Sequence, residues 1–157
     1  MTVDKKLTVL LAEFGQSIGI ASLVFNDQGF CALTFDSRIS VQFQVNEPTG
    51  RVFIYAPLGP IAEERKLQVY EVLLRGNLFW DATGGGTLAI EGDDKPFAIL
   101  MLDTDWERLN VSDLAATVER FVNTAEMWAE MIRDDVTIDP QQDASGCTDG
   151  EALGVRS

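Results

Sequence analysis

No histidine occurs among the 157 residues. That absence removes Ser-His-Asp and Cys-His nucleophile systems, His-ligated zinc and imidazole acid–base chemistry. Cysteine is almost absent as well. Cys31 sits in an apolar, strand-like run and Cys147 in a polar tail, a spacing that fits neither a CxxC metal site nor a disulfide framework. Cys31 therefore reads as a small core residue. There is no run of about 18 apolar residues, and the N-terminal stretch is broken by Glu13 and Gln16, which argues against a signal peptide or a membrane span. A cytoplasmic protein is expected. Basic residues are scarce: 12 Lys+Arg stand against 25 Asp+Glu, a formal net charge of −13. Nucleic acids are held largely by Lys and Arg neutralising phosphates, so neither nucleic acid nor an anionic membrane is an expected partner.

What is present is apolar. Hydrophobic residues make up 46% of the chain, enough for one domain that buries roughly two-thirds of its unfolded surface. The charge is uneven. Residues 1–78 carry 7 basic and 8 acidic side chains, whereas residues 79–157 carry 5 and 17. Such a face serves solubility or meets a basic partner.

Leu7, Leu10, Leu11, Phe14 and Ile18 recur at helical spacing over residues 4–18, with Asp4 placed to cap the start and Gly19 to end the helix. Ser22–Phe25 and Phe30–Phe35 flank Asn26-Asp27-Gln28-Gly29 and predict a hairpin. Residues 39–45 alternate apolar and polar side chains, and Arg51–Tyr55 follows after a Pro-Thr-Gly turn. Residues 62–79 predict a second helix, with Leu67, Tyr70, Leu73 and Leu74 on one stripe and Leu78 a turn later. Gly84-Gly85-Gly86 leads into Thr87–Ile90. Phe97–Leu102 is nearly all apolar, as in a strand buried on both faces or lying at an interface. The last helix is expected over 111–133, with Leu114, Val118, Phe121, Ala125, Trp128 and Ile132 facing the core and Asn110 or Ser112 as cap. The fold class is α+β, three helices on an antiparallel sheet in the order α-β-β-β-β-α-β-β-α. Residues 1–135 form the expected domain, and 136–157 read as an acidic, disordered tail.

None of the chemical motifs holds together. The triple glycine lacks the Lys-Ser/Thr of a phosphate loop and precedes a strand rather than a helix. Asp103-Thr104-Asp105 opens like a calcium loop, but Arg108 and Leu114 stand where Gly and Glu are needed. The carboxylate pairs Glu63-Glu64, Asp93-Asp94 and Asp134-Asp135 fall in turns or at helix ends. No catalytic site, metal or cofactor is expected. Three Trp, nine Phe and two Tyr, on strands whose faces three helices cannot all cover, allow either plain packing or grooves for an extended polypeptide. Such grooves work by burying its side chains and by adding a strand at a sheet edge. Phe53 and Tyr55 alternate with Val52 and Ile54, so one pair must look away from the core.

Three strings, in their order and spacing, resemble a known family. They are Leu10-Leu11-Ala12-Glu13-Phe14-Gly15 with Ile18-Gly19-Ile20, then Phe25 to Asp36, then Leu73 to Trp80 followed by Thr83 to Leu88. Together they resemble the class I type III secretion chaperones of the Tir-chaperone (CesT-like) family over residues 4 to about 133. The resemblance implies a small acidic homodimer in the cytoplasm of a Gram-negative bacterium. It would bind the N-terminal segment of a secreted effector in extended form, keep it secretion-competent and aid its delivery to the export apparatus, with the secretion ATPase as a further partner. The family's pattern places effector binding on Leu10, Phe14, Leu23, Phe25, Val41, Phe43, Phe53 and Tyr55. It places the dimer interface on Leu67, Tyr70, Leu74, Leu78, Phe97, Ile99 and Met101. The alternatives from charge alone are an acidic inhibitor or immunity-type protein capping a basic target, and a metal-using enzyme.

Overall fold

The computed structural model describes residues 3–133. The tail expected from 136 onward, Cys147 and the Asp134-Asp135 pair lie outside the described residues. Helix α1 spans Lys5–Ser17, and the Asp4 carboxylate caps it by accepting the Lys6 N–H at 2.7 Å. Strands β1 (Phe30–Phe35), β2 (Ile39–Asn46) and β3 (Arg51–Pro60) form a meander. Helix α2 (Lys66–Gly76) follows, then β4 (Thr87–Glu91), β5 (Phe97–Thr104) and helix α3 (Val111–Arg133). All pairings are antiparallel and the sheet order is β1-β2-β3-β5-β4, which leaves β1 and β4 as edges.

The sheet has five strands, one fewer than expected. Ser22–Phe25 is irregular, although its turn forms as predicted, with Gly29 at φ 72° and its N–H donating to the Asn26 carbonyl at 2.9 Å. The alternation was real, but its side chains are used elsewhere. Leu23 packs so closely on Gly15 that a Cβ there would lie 2.7 Å from the Leu23 Cβ, and Phe25 leans on the Trp106 ring at 6.0 Å between centroids. Asn26 finishes the job by accepting the Phe30 N–H on its side-chain oxygen while its own N–H donates to the Phe30 carbonyl. The edge positions an extra strand would need there are thereby taken.

All three helices lie on one face of the sheet. Val41, Phe43, Val45, Val52, Ile54, Ala56, Ala98 and Leu100 point to that face and are buried against Leu11, Phe14, Leu114, Val118 and Phe121. Burial of each such side chain contributes about 1.5–3 kcal/mol. Trp106, fully buried between the Phe25 and Phe43 rings, donates its indole N–H to Thr104 Oγ1 at 2.8 Å. Asn110 is the cap of α3, accepting the Asp113 N–H at 2.8 Å. Helix α2 is shorter than expected and flanked by single turns of 3₁₀ helix at Glu63–Arg65 and Leu78–Trp80. It ends at Gly76, where a Cβ would fall 2.5 Å from the Trp128 ring.

Candidate functional site: three apolar surfaces and two unequal sheet edges

The effector-binding residues expected from the family pattern separate into three groups. Phe14, Leu23, Val41 and Phe43 are buried in the core, where a client could not touch them without displacing α1. They are corrected to core residues, and the reason is register. Val41 and Phe43 share the helix-facing side of β2 with Val45, and Phe14 packs edge-on to Phe43 at 6.4 Å. Leu10 is also buried, but it forms the floor of a groove of about 650 Å³ between α1 and the start of α3, with Val9, Leu109 and Val111 as apolar walls. Lys6 and Glu13 stand on its rim. Phe25, Phe53 and Tyr55 are half-buried and reach the surface.

Phe53 and Tyr55 belong to the second surface, the bare face of the sheet. Cross-strand register sets Gln42, Tyr55, Met101 and Thr87 in one row and Gln44, Phe53 and Asp103 in the next. Met101 and Ile99, expected at a dimer interface, are half-buried on this same face, while Phe97 is exposed. The alternation of β5 answers the question its apolar run posed. Ala98 and Leu100 enter the core, and Phe97, Ile99 and Met101 face out. Burial and the nearby Glu91 carboxylate push the Tyr55 phenol above its ordinary value of 10.0. At the end of the face Arg51 donates from Nε to both Asp103 oxygens at 2.9 Å, which strengthens its hold on its proton.

The third surface is the outer stripe of α2. Val69 and Leu73 face inward, whereas Leu67 and Leu74 are exposed, as is Leu78 just beyond the helix. Tyr70 is half-buried beside them, 5.9 Å from the Lys66 ammonium. The periodicity put Leu73 and Leu74 on one stripe, but 100° of rotation separates neighbours, enough to bury Leu73 and leave Leu74 exposed. Phe79 and Trp80 continue the exposed stripe. Sequence reasoning missed them as interface candidates, though their aromatic character next to Gly76-Asn77 was the available signal.

Both sheet edges are partly taken, and on β4 the outward groups of the exposed Ile90 meet no partner among the described residues. On β4 the outward groups of Leu88 are both taken by the Asn77 side chain, which donates to the Leu88 carbonyl at 3.0 Å and accepts its N–H at 2.7 Å. Just before the strand, Thr83 engages both outward groups of Gly86, its hydroxyl donating to the carbonyl and its own carbonyl accepting the N–H. On β1 Asn26 occupies Phe30, but the exposed Ala32 and Thr34, whose backbone groups point the same way, meet no partner among the described residues.

No group of three or more His, Cys, Asp or Glu among the described residues could hold a metal ion, and among them no helix is long and apolar enough to cross a membrane. Asp103 is engaged by Arg51, and Asp105 caps the turn at Trp106–Arg108. Cys31 is buried, and desolvation pushes its thiol above the ordinary 9.0, away from the reactive thiolate.

What the described residues offer a partner is apolar surface: a groove, one bare sheet face and the outer stripe of α2. Residues 9–129 match the Tir chaperone protein (CesT) family, and the chain belongs to it. It is a non-enzymatic chaperone of type III secretion that binds effector proteins. A protein of Chlamydia pneumoniae is 29% identical over 126 residues, covering 78% of this chain and 92% of the relative. Among solved structures, a chain of the ExsC–ExsE complex matches with a TM-score of 0.69 at 23% identity, covering 84% of this chain and 97% of that one. The Yersinia pestis type III secretion chaperone SycH, in complex with a stable fragment of YscM2, matches at 0.59 and 25% identity, covering 77% and 98%.

Proposed function

We propose that this chain is a homodimeric cytoplasmic chaperone that holds the N-terminal segment of one secreted effector in extended form. The bound segment stays soluble and export-competent, and the complex is handed to the export apparatus, including its ATPase. The observation that carries this reading is the open edge of β1 at Ala32 and Thr34, longer than the single open position, Ile90, that Asn77 leaves on β4. An extended segment laid beside β1 gains main-chain hydrogen bonds without regard to its sequence, and alternate side chains then find apolar surface. Those side chains have Phe25, Phe53, Tyr55 and the Leu10-floored groove within the same half of the fold as candidates. The client's ordering cost is offset by spreading contact over a large surface. The complexes of the two matched structures, ExsC with ExsE and SycH with a fragment of YscM2, support the same reading. The dimer is supported by the exposed stripe Leu67, Leu74 and Leu78, with Tyr70, Phe97, Ile99 and Met101 as its remaining candidates.

The test is Ala32→Pro. The Ala32 N–H faces outward, so proline removes a docking donor without breaking the β1–β2 ladder. The effector captured by the wild-type chain from its host should bind this variant at least about tenfold more weakly, since several main-chain bonds of about 1 kcal/mol each depend on the edge. The melting temperature should hardly move. Undiminished binding, measured by calorimetry, would rule out strand addition at β1. Affinity that collapsed with salt in both proteins would favour the charge-matching inhibitor instead.

A further inference from the structure

Strand β1 is an edge of the sheet without the devices that usually protect one. Natural proteins guard such edges with Lys, Pro, a bulge or a covering segment. Phe30-Cys31-Ala32-Leu33-Thr34-Phe35 contains neither Lys nor Pro, and its register with β2 runs unbroken from Phe30 to Phe35. The outward backbone groups of Ala32 and Thr34 meet no partner among the described residues. A covering segment is the remaining device.

The end of α3 shows which segment is at hand. Glu130, one turn before the helix ends at Arg133, pairs with Arg38 of the β1–β2 turn at 3.4 Å. The Ile132 carbonyl accepts from Arg65 Nη1 at 2.8 Å, which fastens the last turn of the helix just past the end of β3. The chain therefore leaves α3 at the end of the sheet where β1 stops. Residues that continue from there and turn back along β1 run antiparallel to it, as every neighbouring pair in this sheet does.

The sequence beyond the helix fits that path. Val136-Thr137-Ile138 is a run of three β-branched residues, the side chains best suited to a pleated strand. It is an uncharged island between Asp134-Asp135 and Asp139, and β1 itself carries no charge. Pro140 follows, a residue that ends ladder pairing. An extended chain covers about 3.3 Å per residue, so Val136 reaches up to about 10 Å beyond Arg133. That is a short step from a helix end already joined to the β1–β2 turn. The triplet also matches in length the open stretch Ala32-Leu33-Thr34.

We propose that residues 136–138 of the same chain lie on the β1 edge when no client is bound, as an internal strand that an incoming segment must displace. This rests on the reading of β1 as the docking edge and adds a competitor to it. A tethered strand of three residues makes few main-chain bonds. A longer client segment therefore outcompetes it, while short or poorly matched segments do not.

The test uses the full chain and reads amide hydrogen exchange at Ala32 and Thr34 by nuclear magnetic resonance. With no client present, both amides should exchange about tenfold or more slowly than open peptide. Thr137→Pro with Ile138→Pro removes an inward N–H in either register, and the protection should vanish. Val136→Ser with Ile138→Ser keeps the backbone donors and should lower it less. Unchanged near-ultraviolet circular dichroism would show the fold intact in both. The effector captured by the wild-type chain should bind the proline variant about tenfold more tightly, because a site free only about a tenth of the time loses that factor. Fast exchange at Ala32 and Thr34 in the wild-type chain would overturn the proposal, as would protection that survives both variants. Protection that fades on dilution would give the edge to a second copy and overturn it too. Lost protection with unchanged effector affinity would end the competition, and only an unchanged affinity in Ala32→Pro would take the docking reading with it.

Discussion

Helices α2 and α3 are both amphipathic by the same periodicity, yet they bury their apolar side chains unequally. Every large apolar side chain on the inward stripe of α3 (Leu114, Val118, Phe121, Trp128, Ile132) is buried within the chain. Helix α2 buries Val69 and Leu73 and shows Leu67 and Leu74 to solvent. A helix at the rim of a one-faced sheet can satisfy only half of its apolar surface internally. The remainder stays on the surface, so the difference between the two helices is one of how much sheet each has to cover.

That contrast can be broken from the α3 side with the largest effect. Trp128→Ala removes a buried ring, its bond to the Ala82 carbonyl and the floor under the α2–β4 turn. It should cost about 3–5 kcal/mol in urea unfolding. A loss below 1 kcal/mol would show that α3 does not hold this region. Where the two helices touch, Gly76→Ala sharpens the comparison. The new methyl would lie 2.5–2.8 Å from Trp128 and Leu88 atoms. Overpacking of about 1–3 kcal/mol should outweigh a helix-propensity gain of about 1 kcal/mol, for a net loss. A stabilised variant would mean the ring can step aside.

The smallest effect separates the covered from the bare face of the sheet by pH. The Cys31 thiol and the Tyr55 phenol both bind their protons more tightly folded than unfolded. Their contribution is therefore complete below the ordinary values of 9.0 and 10.0 and is lost as pH rises past them. Melting temperature should be nearly flat through neutrality, where no histidine titrates, and fall above pH 9. In Tyr55→Phe the fall should be shallower. An identical alkaline slope in that variant would remove the phenol from the account.

The caps, turns and strand alternation were legible because they depend on neighbours in sequence. Asp4, Gly19, Gly29 and the alternation of Phe53 and Tyr55 with Val52 and Ile54 all follow from local geometry, while which pair faces out was decided by the helices. The Ser22–Phe25 segment was not legible, because its alternation is the same whether Leu23 and Phe25 join a sheet or plug the space beside Gly15 and Trp106. The client-contact residues fared unevenly for a related reason. Phe14, Val41 and Phe43 are as apolar as Tyr55, and only the layer they face decides that they are core.

Composition by itself removed imidazole chemistry, since histidine is missing, and the order of the motifs pointed to the family that residues 9–129 match. The tertiary structure decided how far the β4 edge is covered, because Asn77 reaches Leu88 only once the end of α2 lies beside β4. It also decided which apolar stripe is left over, because burial depends on how many helices one sheet face can carry.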